Sequence, residues 1–148
     1  MSDEKNDRLG LRGRLAHFES ALRLLGGANA TGAIAAAVAF HTFESHANIQ
    51  NAVKTAVILF LLGIFTFTIA YMALFMAIDN IDHSMYKQGE ETWPEYLFWV
   101  PDKSAEEYKT MAKWEFSIAL FGGLASLSTF ILGLIVILFM ASNFQLGS

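Results

Sequence analysis

Residues 55–78 read TAVILFLLGIFTFTIAYMALFMAI, 24 consecutive residues without a charge or a proline. About 20 helical residues cross the hydrocarbon core of a bilayer, and a soluble core helix rarely sustains so long an uncharged run. The run predicts a membrane-spanning helix with some tilt. Residues 116–141 repeat the pattern as FSIALFGGLASLSTFILGLIVILFMA, 26 residues, again uncharged and proline-free. Composition points the same way: 54% of the 148 residues are hydrophobic, Phe occurs 13 times, and Pro only 2. Such a chain suits an environment in which the outward surface is as apolar as the interior. The length leaves room for a single membrane domain, residues 1–148.

A third segment, residues 24–43, reads LLGGANATGAIAAAVAFHTF. It is uncharged but rich in Gly and Ala, so its composition alone also fits a soluble or interfacial helix. Lys and Arg collect on the cytoplasmic side of a membrane, and their count arbitrates. With two spans, six (Lys5, Arg8, Arg12, Arg14, Arg23 and Lys54) face four (Lys87, Lys103, Lys109 and Lys113). With three spans, nine share one side and Lys54 alone stands on the other. The three-span arrangement is therefore expected, with the N-terminus and a 79–113 loop cytoplasmic.

Ahead of the first span, Leu11, Leu15, Phe18, Leu22 and Leu25 recur at spacings of four and three, the period of an amphipathic helix. Arg8, Arg12, Arg14 and Arg23 supply its polar side. This segment, residues 1–23, is expected either to lie on anionic lipid headgroups or to pack on a partner protein. It is charged throughout and has no apolar core of a cleavable signal, so the first span is expected to act as its own insertion signal. The expected fold class is thus all-α: an integral membrane protein with three transmembrane helices in a close-packed bundle, preceded by an N-terminal amphipathic helix.

Small residues line up within the spans. On the second they are Ala52, Ala56, Gly63, Thr66, Ala70, Ala73 and Ala77, interrupted by Leu59; on the third, Ala119, Gly122, Ser126, Thr129 and Gly133. Ala28, Gly32, Ala35 and Ala39 continue the theme on the first. Small side chains let helix backbones approach, which drives association where lipid offers no hydrophobic contrast. The seven-residue spacing favours left-handed crossing near about +20°. The bulky Phe60, Phe65, Phe67, Phe75, Phe121, Phe130 and Phe139 are expected toward lipid or a neighbouring subunit. A seam of this kind closes a bundle rather than lining a water-filled pore. The two long spans carry only hydroxyls as polar side chains, with no ionisable residue at mid-depth, which argues against a pump or ion-coupled carrier.

The 79–113 loop is acidic and has an aromatic centre, WPEYLFWVP at 93–101. Trp93, Tyr96, Phe98 and Trp99 are expected either in the headgroup zone or as a docking surface for another protein. Trp114 marks the entry of the third helix. Two histidine groups invite a metal reading: His41, Glu44 and His46 in HTFESH, and Asp79, Asp82 and His83 at helical spacing. The three-span arrangement puts them on opposite sides of the membrane. Neither matches a specific ligand motif, and polar helix ends at the water boundary account for both more cheaply. His17 reads as a surface residue.

Several function classes fall away. With no cysteine, disulfides, thiolate catalysis and cysteine-based metal sites are excluded. Basic residues form no long cluster with aromatics, so nucleic-acid binding has no support. No nucleophile, phosphate-binding or dinucleotide motif occurs, and neither enzymatic activity nor a cofactor is expected.

Asn29, Gly32, Ala33, Ala39, Phe40 and Gly63, within residues 20–75, carry a resemblance to a family of small bacterial three-helix inner-membrane proteins. Those begin with a charged amphipathic segment, followed by an Asn-Gly/Ala-rich helix ending in an Ala-Phe step and by two stronger apolar helices. The resemblance implies three spans and a bacterial inner membrane, and brings no activity with it. The leading functional expectation is a non-catalytic accessory or structural subunit of a membrane assembly, with the bilayer and other membrane subunits or further copies as partners. A homo-oligomeric pore or membrane-permeabilising effector is the alternative, and a metal- or cofactor-binding membrane protein comes third.

Overall fold

The computed structural model describes residues 2–42, 47–87 and 103–146. They form three helices: α1 (Ser2–Thr42), α2 (Ala47–Lys87) and α3 (Ala105–Leu146), with no strand among the described residues. Each contains a stretch long and apolar enough to cross a membrane, Leu15–Thr42, Ile49–Met85 and Ala105–Met140.

At 41, 41 and 42 residues, each helix is about twice the length a bilayer core requires. The apolar runs mark where hydrocarbon suits the chain, not where helix stops. α1 continues without a break through residue 23, so residues 2–23 are not set apart from the first span as a separate helix. α3 begins well before its apolar run, in AEEYKTMAKWE, which is rich in good helix formers. Its start is held by reciprocal bonds. The Ser104 N–H donates to Glu107 Oε2 at 2.7 Å, and the Glu107 N–H donates to Ser104 Oγ at 3.3 Å. Ser104→Ala is expected to speed amide exchange at residues 105–108 roughly five-fold, the effect of losing an ordinary N-cap. Unchanged exchange there would show that the start is fixed by other contacts.

The helices contribute to two compact units, residues 1–68 with 122–148 and residues 69–121. In the first unit, Gly26 meets Phe67, Asn29 meets Gly63, and Gly32 meets Phe60, so α1 and α2 run antiparallel. Phe60 against Gly133 and Gly63 against Ser126 make α2 and α3 antiparallel as well. Leu22 against Gly123 and Asn29 against Ser126 set α1 and α3 parallel, giving an up–down–up order.

The packing device in this unit is a bulky side chain seated on a glycine. A Cβ on Gly26 would lie 2.6 Å from the Phe67 ring, and one on Gly32 or Gly133 would lie 2.6 or 2.8 Å from the Phe60 ring. A Cβ on Gly123 would meet Leu22 Cδ2 at 3.0 Å. Phe60 is 0% exposed, at the centre of a cluster with Ala36, Val53 and Ala56. Phe130 stacks beside it with ring centroids 6.0 Å apart. Phe60 thus points inward, contrary to the outward expectation, and Phe67 and Phe130 are half-buried. The reason is steric: paired glycines leave recesses, and a close-packed interior fills them. Phe65 and Phe139 do stand outward.

In the second unit, α2 and α3 are antiparallel, with Asn80 against Glu115 and His83 against Tyr108. Ala70, Ala73, Leu74, Ala77, Ala112 and Ala119 are buried, while Phe75, Met76 and Phe121 stand exposed.

Candidate functional site

The most unusual feature of the first unit is a polar node in an apolar setting. Asn29, on the Gly/Ala-rich part of α1, is 0% exposed. Its Nδ2 donates to Leu25 O at 3.1 Å on its own helix and, across to α3, to Ser126 Oγ at 3.1 Å and Ser126 O at 3.3 Å. Ser126 Oγ donates in turn to Gly63 O on α2 at 2.9 Å. Thr129 Oγ1 donates to Ser126 O at 2.9 Å, and Thr66 Oγ1 reaches Leu62 O and Gly63 O. One amide and one hydroxyl therefore tie all three helices at a single level. Interhelical bonds of this kind contribute about 0.6–2 kcal/mol each in a bilayer.

Asn29 Oδ1 is buried with no hydrogen-bond donor. It lies 2.1 Å from the position a Cβ on Gly63 would take. In glycine a second Cα–H occupies that direction, so the amide oxygen faces a Cα–H instead of an amide donor. Such contacts recur where helices cross closely and are worth about 0.5–1 kcal/mol. The node can hold helices in register, but it presents neither a nucleophile with a base nor a charge.

The expected seam residues divide by helix. On α2, Ala56, Gly63, Ala70, Ala73 and Ala77 are buried and Ala52 and Thr66 half-buried. On α3, Ala119, Ser126 and Gly133 are buried, with Gly122 and Thr129 half-buried; Gly123, not Gly122, receives Leu22. On α1 the expected line Ala28, Gly32, Ala35 and Ala39 is displaced. Ala35 is exposed and the others are half-buried, while the buried line runs through Leu15, Leu22, Gly26, Asn29 and Ala36. Small size alone traces the contact only in part there: Gly32 receives Phe60, but Ala35 faces outward, and Leu and Asn supply the rest of the contact. Asn29 is the residue this misses, and its signal was available: it is the one amide side chain in residues 24–43.

The apolar stripe of the N-terminal segment is turned into the unit as well. Leu15 and Leu22 are buried, Phe18 and Leu25 half-buried, and the Phe18 ring lies 3.7 Å from the Cβ position of Gly123. Arg23 is exposed and pairs with Glu19 at 2.6 Å. The side chains of Arg8, Arg12 and Arg14 lie outside the described residues, as do Trp93, Tyr96, Phe98 and Trp99. Trp114 is exposed. Lys54 sits over the Phe40 ring, 5.6 Å from its centroid.

The second unit carries its own buried polar set. Asn80 Nδ2 donates to Glu115 Oε2 at 2.6 Å. His83 Nδ1 lies 2.8 Å from Asp79 O and 3.5 Å from Asp79 Oδ2, and its ring packs on Tyr108 with centroids 5.1 Å apart. Ser84 Oγ is buried without a hydrogen-bond partner. Adjacent helical residues diverge by about 100°, so His83 and Ser84 face different ways and do not form a base–nucleophile pair. Asp79, Asp82 and His83 do not converge as metal ligands: among the described residues no three His, Asp or Glu side chains gather to hold an ion. His41 is exposed at the end of α1, and Glu44 and His46 lie outside the described residues.

Fold and geometry define a class: an all-α chain of three membrane-length helices, fastened at one level by a buried amide and at two others by aromatic rings on glycine. No family model matches the sequence, and no curated protein or solved structure matches it.

Proposed function

We propose that the chain is a non-catalytic structural or accessory subunit of a membrane assembly. All three helices cross the bilayer, the N-terminus is cytoplasmic, and the partners are lipid and other membrane subunits or further copies of the chain. The observation that carries this reading is Phe60, wholly enclosed over Gly32 and Gly133. A ring filling the centre of the three-helix unit supports a solid element and leaves no lumen at that level. The nine-to-one distribution of Lys and Arg supports the orientation. The resemblance of residues 20–75 to small bacterial three-helix proteins supports an inner membrane as its location.

The outward hydroxyls do not require a pore assembled from several copies. Thr31, Thr68 and Ser128 are exposed, yet each donates to the backbone carbonyl four residues earlier, at 2.9 Å. Hydroxyls bonded in this way are satisfied in lipid, so their exposure does not call for a water-filled lining.

The test uses the full chain purified in mild detergent, with mass measured by light scattering and conductance in planar bilayers. Co-purification with stoichiometric membrane proteins, or a non-conducting oligomer, is the expected result. A discrete homo-oligomer that conducts would sink the proposal. Orientation is read from Ser45→Cys and Gly89→Cys, labelled separately in membrane vesicles. The two are expected to react from opposite faces.

A further inference from the structure

We infer that the polar node marks the centre of the bilayer, and that the end of α2 and the start of α3 stand clear of the hydrocarbon as a two-helix stalk. This rests on the three-span reading and gives each residue a depth. Asn29, Gly63 and Ser126 meet at one level, so distances along the helices count from there at about 1.5 Å per residue. Toward the outer face the nearest charge is Lys54, nine residues or about 13.5 Å from Gly63. Its ammonium lies over the Phe40 ring, and Phe40 is eleven residues, about 16.5 Å, from Asn29. Toward the face that holds the N-terminus the nearest charge is Arg23, which binds Glu19 Oε1 at 2.6 Å. Glu19 is ten residues, about 15 Å, from Asn29. Helical side chains lean toward the N-terminus of their own helix, and for Lys54 and Arg23 alike that direction leads out of the bilayer. Charge is thus held about 15 Å from the node on either side, the half-thickness of a hydrocarbon core of about 30 Å.

Beyond that depth α2 and α3 continue. α2 reaches Lys87, about 36 Å along the helix from Gly63, and α3 starts at Ala105, about 32 Å from Ser126. About 15–20 Å of each helix therefore lies outside the hydrocarbon, including Phe75 and Met76 of the uncharged run 55–78. The packing of this part suits water. Leu74, Ala77 and Ala112 are buried, Asn80 donates to Glu115 Oε2 at 2.6 Å, and His83 packs on Tyr108. Apolar burial and a charge-assisted bond hold the two helices together without lipid. Asp79, Glu106 and Glu107 are exposed, acidic groups that an anionic leaflet repels. The stalk is the surface a water-soluble member of the assembly reaches, whereas the belt around the node fits lipid and membrane subunits.

The native chain contains no cysteine, so a single introduced cysteine carries a nitroxide at a chosen depth. Ile58→Cys, Leu62→Cys, Ile69→Cys and Met76→Cys place it at exposed positions along α2 of the full chain. Power saturation in phosphatidylcholine–phosphatidylglycerol vesicles compares collision with oxygen, which concentrates at the bilayer centre, and with a water-soluble nickel chelate. The oxygen-to-nickel ratio is expected to peak at Leu62→Cys and to agree within about two-fold at Ile58→Cys and Ile69→Cys, which lie at similar depths on either side. At Met76→Cys it should be lower than at the peak by at least about five-fold. A peak displaced to Ile69→Cys, with Met76→Cys shielded from nickel, is what the midpoint of the run 55–78 would dictate and would overturn the inference. Ile34→Cys, exposed on α1 and five residues outward of Asn29, separates the two readings. Nickel access there would overturn the three-span arrangement itself, whereas shielding there with a displaced α2 peak overturns the depth assignment alone.

Discussion

Gly63→Val is expected to lower the stability of the helix bundle by about 2–4 kcal/mol, the sum of overpacking and a broken polar node. A Cβ at residue 63 would lie 2.1 Å from Asn29 Oδ1, 2.4 Å from Asn29 Cγ and 2.7 Å from Thr129 Oγ1. All three atoms sit on neighbouring helices, so the new side chain presses on α1 and α3 at once. Asn29 is fully enclosed, and it yields only by swinging its amide off Ser126 or by pushing α1 outward. Either movement removes the hydrogen bonds that tie α1 to α3.

An internal control separates this from any general effect of replacing glycine in a helix. Gly27 is exposed on α1, with nothing within 4 Å of its Cβ position. Gly27→Ala is expected to be neutral or mildly stabilising, since Ala favours helix over Gly by about 1 kcal/mol. Stability is read as the midpoint of an SDS titration of detergent-purified protein. Equal midpoints for Gly63→Val and Gly27→Ala would show that the close approach of Asn29 to α2 is not present in solution.

Much of the fold was legible because membrane-length runs are long-range signals. An uncharged stretch such as 55–78 admits few alternatives, and the 24–43 stretch, ambiguous by composition, lies in a helix that is long and apolar enough to cross a membrane. Helix ends were less legible: residues 79–87 and 105–115 are polar, and polarity records contact with water, not loss of helix. The small residues named on α2 are mostly buried and those named on α1 are not, for a particular reason. On α2 the contact is nearly all small residues, so size traces the face. On α1 the contact mixes Leu22, Gly26, Asn29 and Ala36, so size traces it only in part and also selects exposed Ala35. Phe60 was placed outward because a large ring and a small-residue seam look mutually exclusive in sequence. They are complementary when the small residues are glycines on two other helices.

That complementarity gives Phe60→Ala a large expected effect with a diagnostic signature. In soluble cores a buried Phe→Ala change costs about 3–5 kcal/mol, part of it transfer to water and part the empty cavity. Between helices in a bilayer the transfer part shrinks, because lipid is as apolar as the seam, and lost dispersion contacts remain. A loss of about 2–3 kcal/mol is therefore expected for Phe60, against almost none for Phe65→Ala, whose ring is 63% exposed. The signature lies in the partner glycine. Gly133→Ala in the native chain drives a methyl to 2.8 Å from the Phe60 ring and should destabilise. In the Phe60→Ala background the same methyl enters the vacated space and should be neutral or stabilising. A double-mutant cycle on the SDS midpoints isolates that reversal, with a coupling of roughly 1 kcal/mol or more expected for residues in direct contact. If Gly133→Ala has the same sign and size in both backgrounds, Phe60 is not seated on Gly133, and the reading of the chain as a solid, lumen-free element loses its support.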